Sequence, residues 1–198
     1  MLRLQSIAEG IARAGSIAGG ALLLVASILV CIDITLRYTL SVTLGGADEL
    51  SGYALAIGSA WGFSSALLSR SHIRIDTLYV RVRPRVRAVL DLASLAILAF
   101  FFGLVSWYAW GVVRQSWVSN SHSLSEIEAP LVVPQALWFA GLVFFVALTL
   151  FLLVRGLIAF VTGDLAALFG LIGSKSAVDE AQEEVVNVER AFGQERKE

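Results

Sequence analysis

The sequence predicts an all-α integral membrane protein with four transmembrane helices, a short interfacial helix between the second and third, and both termini cytoplasmic. Three observations carry that prediction. Hydrophobic residues make up 57% of the 198-residue chain and charged residues only 16%, with a mean hydropathy of +0.77, beyond the norm for soluble domains. Uncharged runs of about 20 residues recur four times, and at roughly 1.5 Å of helical rise per residue each crosses a hydrocarbon core of about 30 Å. The 15 lysines and arginines are divided thirteen to two between the sides that those runs define, with only Arg37 and Arg114 on the poorer side. Cytoplasmic loops carry the excess of Lys and Arg, so the richer side is inside.

A formal net charge of -1 conceals this asymmetry and points to no nucleic-acid or acidic-substrate partner. The single cysteine, Cys31, rules out an intramolecular disulfide framework. It follows Ile28-Leu29-Val30, bulky where a lipoprotein cleavage site needs small residues.

The expected membrane domain covers residues 1–163, with spans at about 14–36, 50–69, 88–114 and 134–156. Before the first span the chain is weakly amphipathic, with Arg3 and Arg13 on either side of Glu9. No small-residue cleavage site follows the apolar run, so it is expected as a retained helix. Asp33 and Arg37 close it at an i, i+4 spacing that suits an ion pair near the membrane surface. A loop rich in Ser, Thr and Gly then leads to Asp48 and Glu49, acids that the helix dipole favours at the start of the second span.

That second span is full of small residues. They form two ridges at four-residue intervals, Ala54, Gly58, Gly62 and Ala66 on one, and Gly52, Ala56, Ala60 and Ser64 on the other. A step of two residues turns a helix by about 200°, so the ridges face nearly opposite ways. Small residues let helices approach closely in lipid, and the pattern predicts a helix wedged between its own bundle and a partner. Gly58 and Ala60 probe the two ridges.

The linker that follows holds His72-Ile73-Arg74-Ile75-Asp76 and six arginines in all, from Arg70 to Arg87. Leu78, Tyr79, Val80 and Val82 alternate with cations there, which fits a short interfacial helix from about Asp76. Arg74 and Asp76 are expected to anchor the linker by pairing and partner contacts, with membrane lipid headgroups as the competing ligand. Pro84 suits the first position of the third helix. Trp107, Tyr108, Trp110 and Trp117 gather at that helix's outer end as an aromatic belt at headgroup level. The next loop contains His122, Glu126 and Glu128, and Pro130 and Pro134 predict an irregular entry to the fourth span. Residues 164–198 read as an interfacial turn, too short to cross, and an acidic cytoplasmic tail.

No catalytic constellation is legible. His72 and His122 fall on opposite sides of the membrane, which excludes a shared haem, and no metal or cofactor motif is present. No span carries a central charge or a Gly/Pro break of the kind that builds a transported-solute site. The residues therefore predict neither an enzyme nor a solute carrier.

From about residue 15 to 160 the chain resembles the small membrane subunit of tripartite ATP-independent periplasmic (TRAP) transporters, the DctQ-like family. The likeness rests on Arg37-Tyr38, Asp48-Glu49, His72-Ile73-Arg74-Ile75-Asp76 and Val133-Pro134. Asp48 stands where the family more often has Glu, Pro130 is an additional proline, and the tail after Ser174 lies outside the likeness. The resemblance implies a non-catalytic, multi-pass protein of the bacterial inner membrane that needs no cofactor. Its implied partners are a large multi-span subunit that binds solute, typically a small organic acid, with sodium coupling, and a periplasmic binding protein that delivers it. The small subunit would be a static scaffold, with Arg37, Asp48, Glu49, Gly58, Ala60, Gly62, His72, Arg74 and Asp76 as candidate partner or membrane-interface contacts. A self-associating structural protein and a small stand-alone oligomeric transporter are the alternatives.

Overall fold

A computed structural model describes residues 2–69 and 82–173. The expected interfacial helix, the His72, Arg74 and Asp76 candidates and the acidic tail lie outside the described residues. Among the described residues five helices occur in order: α1 (Leu2–Leu40), α2 (Ala47–Leu68), α3 (Pro84–Val118), α4 (Val132–Val161) and α5 (Leu165–Ile172). Among the described residues there are no strands, only an isolated antiparallel bridge between His122 and Pro130. Ser6–Leu40 of α1, together with α3 and α4, are long and apolar enough to cross a membrane. α2 is more dilute in apolar side chains, with two acids in its first turn and its many Gly and Ser residues.

α1 is longer than the expected first span because nothing separates the amphipathic start from the apolar run. Its 39 residues form one helix, which at 1.5 Å each is about 58 Å long. Its exposed hydroxyls need no partner from outside: Ser27, Thr35 and Thr39 each donate to the carbonyl four residues back. α3 starts at Pro84, where the missing amide hydrogen costs no helical bond. The expected irregular entry to α4 is confined to the loop: Pro130 takes part in the bridge, whereas Pro134 is the third residue of the helix, where amides have no intrahelical acceptor.

The helices stand in the spatial order α1, α2, α4, α3. α1 and α2 form an antiparallel hairpin, as do α3 and α4. α2 and α4 join the two hairpins. The main core draws on Leu67 of α2, Leu95 of α3 and Phe145, Leu148 and Leu152 of α4. Phe102 of α3 meets Phe145 edge-on with ring centroids 4.7 Å apart. Beyond α4, Gly163 at φ +76° reverses the chain, and Asp164 caps α5 by accepting from the Ala167 amide at 2.9 Å. α5 folds back on α4 and α3 rather than lying apart, with Leu168 fully buried and the Arg87 guanidinium 4.9 Å from the centre of the Phe169 ring.

Candidate partner interface

At the end of the bundle that carries the 41–46 and 119–131 loops, the acids singled out in the sequence hold the two loops to the helices. The expected Asp33–Arg37 pair forms, with Arg37 Nη2 donating to Asp33 Oδ2 at 2.7 Å. It is not a surface pair, however. Asp33 is only 2% exposed, because the chain after α1 turns back along the helix and its other oxygen accepts from the Leu44 amide at 2.7 Å and the Thr43 hydroxyl at 3.0 Å. The carboxylate therefore fixes the path of the loop, while Arg37 stays largely exposed.

Glu49 plays the matching part on α2. It accepts from the Tyr53 hydroxyl within its own helix and from the Ser123 hydroxyl in the α3–α4 loop. Ser123 is held in turn by its backbone N–H, which donates to the Ala129 carbonyl at 2.9 Å, and its hydroxyl accepts from the Ser125 amide at 3.1 Å. Gly46, at φ +81°, sits so close beneath Ile127 that a Cβ there would lie 2.4 Å from its Cδ1. Asp48 is exposed, and His122 Nδ1 lies 2.8 Å from the Asn120 carbonyl oxygen.

The small-residue ridges of α2 take more than the two expected directions. Gly58 meets α1: a Cβ on Gly19 would lie 2.9 Å from Gly58 Cα, so the two backbones touch. Ala60 meets α4, its Cβ 3.0 Å from where a Cβ on Gly141 would be. Both residues are buried within the chain itself, which leaves neither of them to face a partner. Four-residue rows advance by about 40° per step around a helix, so each ridge winds from one environment into another. Gly52 and Ala56 begin the second ridge in the open, whereas Ala60 and Ser64 end it against the bundle. The first ridge runs the other way, from Ala54 and Gly58 inside to Gly62, where a Cβ would have no atom within 4 Å. One face of α2 thus remains uncovered: Gly52 and Ala56 are exposed on it, Gly62 is half-buried at its edge, and Leu55 and Phe63 project from the same face.

Trp61 is the residue that sequence reading missed. Its ring lies between two glycines, with Gly15 of α1 on one side and Gly141 of α4 on the other; a Cβ at either would come within 2.3 Å and 3.0 Å of it. Since Gly141 has no side chain, the indole reaches past it and donates to the Leu137 carbonyl at 3.1 Å. One side chain thereby ties three helices. The glycines were legible only as permissive positions, because pairing them with Trp61 requires the helix register.

Among protein families, the model of the DctQ component of tripartite ATP-independent periplasmic transporters matches residues 4–163. The chain belongs to that family. It is a small membrane subunit of a TRAP transporter, a multi-pass membrane protein that works alongside the other components of such a system. No curated protein and no solved structure matches it. The match runs from within the first turn of α1 through α4 and ends at Gly163, short of α5.

Proposed function

We propose that the chain is the static, non-catalytic scaffold of a sodium-coupled TRAP transporter for small organic acids, and that its large solute-binding subunit docks against the open face of α2. The observation that carries this reading is the division of labour on α2. Gly58 and Ala60 lock the helix between α1 and α4, while the remaining face, with Gly52, Ala56 and the apolar Leu55 and Phe63, is left open to a partner. A helix locked on two sides suits a rigid support, and an uncovered apolar face suits a partner helix.

Four crossings with both termini cytoplasmic complete the proposal. At 22 residues α2 is about 33 Å long, sufficient for a hydrocarbon core of about 30 Å. The thirteen-to-two division of basic residues supports the orientation, and it puts the Asp33 and Glu49 networks on the periplasmic side, where the binding protein arrives. His72, Arg74 and Asp76 would then lie at the cytoplasmic surface, available to lipid headgroups or the partner.

Reconstitution tests the reading. Liposomes holding this chain with its large subunit, supplied with binding protein and an inward sodium gradient, should accumulate the organic acid. Liposomes holding this chain alone should not. Accumulation by the chain alone would establish the stand-alone transporter instead.

A further inference from the structure

The outward face of α3 at the loop end of the bundle combines an unpaired cation with an uncovered aromatic ridge. Trp107, Trp110, Arg114 and Trp117 follow one another at steps of three, four and three residues, which places them on one helix face. All are exposed, Trp107 by 76% and Trp117 by 74%. Phe100 continues the ridge two turns deeper, and Gly103 and Gly111 leave open space along it. Trp110 is steadied by the Phe139 ring at 5.6 Å between centroids. Among the described residues Arg114 makes no ion pair, whereas the other cation at this end, Arg37, is committed to Asp33.

We propose that this face binds an anionic phospholipid, with the phosphate on Arg114 and an acyl chain running along Trp107, Gly103 and Phe100. A guanidinium presents a donor fork that fits phosphate oxygens, and with no acid of its own it leaves a positive charge to be matched. Indoles favour the headgroup level, where the ring is buried and the N–H remains free to donate. The depth is consistent: from Arg114 to Phe100 is about 21 Å along the helix, close to half of a bilayer of about 40 to 45 Å with its headgroups. A closely packed partner helix fits this ridge poorly, since three projecting indoles would hold its backbone away. The small subunit would therefore meet lipid on α3.

Tryptophan fluorescence tests this directly, because all five tryptophans (61, 107, 110, 117 and 138) lie outside the arginine-rich linker in the sequence. The full chain is reconstituted in phosphatidylcholine vesicles in which a tenth or so of the lipid is replaced by acyl-brominated phosphatidylglycerol or, in parallel, acyl-brominated phosphatidylcholine. A single cation near the surface is worth enough to enrich the anionic lipid about fivefold beside the ridge. The brominated phosphatidylglycerol should therefore quench more strongly than the brominated phosphatidylcholine. Arg114→Gln should abolish the excess, and Arg13→Gln, which removes an exposed charge on α1, should preserve it. Arg114 makes no contact that the fold depends on, and an unchanged circular dichroism spectrum verifies that the variant is folded. Equal quenching by the two lipids in the wild type, or an excess that survives Arg114→Gln, overturns the proposal. So does loss of the excess when the large subunit is present, which would make the ridge a protein interface.

Discussion

Replacing Gly19 by valine should loosen the α1–α2 hairpin, and the size of the effect follows from the contact that this glycine makes. A Cβ at position 19 would stand 2.9 Å from Gly58 Cα and 3.3 Å from the Gly58 carbonyl oxygen. Non-bonded carbons prefer about 3.5 to 4.0 Å, so the first of these contacts is short by roughly 0.6 to 1 Å. Both obstructing atoms belong to backbone, which has no rotamer to turn away. The helices must separate, and the two valine methyl groups force them further. Overpacking of this kind costs about 1 to 3 kcal/mol, while valine's better helix propensity returns only a few tenths of a kcal/mol. Gly62→Val is the control, since the space beside Gly62 is open and its effect should stay within about 0.5 kcal/mol. Helicity followed through an SDS titration in mixed micelles gives the midpoints. Gly19→Val should unfold at clearly lower SDS than Gly62→Val, and coincident midpoints would refute the close crossing.

Three further outcomes are expected. Trp61→Phe keeps a ring between Gly15 and Gly141 but loses the bond to the Leu137 carbonyl, so it should lower stability by about 1 kcal/mol in the same titration, and Trp61→Ala by about 3 kcal/mol or more. Asp33→Ala removes the acceptor of the Leu44 amide and should speed hydrogen exchange there, whereas Asp33→Asn retains an acceptor oxygen and should not; unaltered exchange in Asp33→Ala would show that the carboxylate does not hold the loop. In a Cys31→Ser background, a cysteine at Ser121 should react with an impermeant thiol reagent in intact cells while one at Thr162 should not, and the opposite pattern would reverse the proposed topology.

The long helices were legible because apolar periodicity and uncharged length are local properties, and Pro84 marks the start of α3 through a backbone effect that is local too. Asp33 illustrates what was not. Its spacing from Arg37 identified one bond, but its burial depends on Thr43 and Leu44 returning from a turn that no periodicity describes. The ridges of α2 were similarly half legible. Counting in fours finds rows of small residues, yet a row drifts by about 40° per step, so Ala56 and Ala60 of one row face different surroundings. Eight apolar residues cannot span a bilayer, so at α5 the sequence alone predicts only an interfacial turn. Its fold-back rests on Leu168 and Ile172 fitting between α3 and α4, with Gly156 giving room for Ile172, a match between distant residues.

Co-purification of a Gly62→Leu variant with the large subunit tests the scaffold account most directly. Leucine there has open space within the chain, so the variant should fold as the wild type does. Against a closely packed partner helix the same side chain should cost about 1 to 3 kcal/mol, weakening the association by about 5- to 150-fold. The account predicts a folded small subunit that no longer retains its partner. Retention of the large subunit by Gly62→Leu in wild-type amounts would contradict docking on the open face of α2.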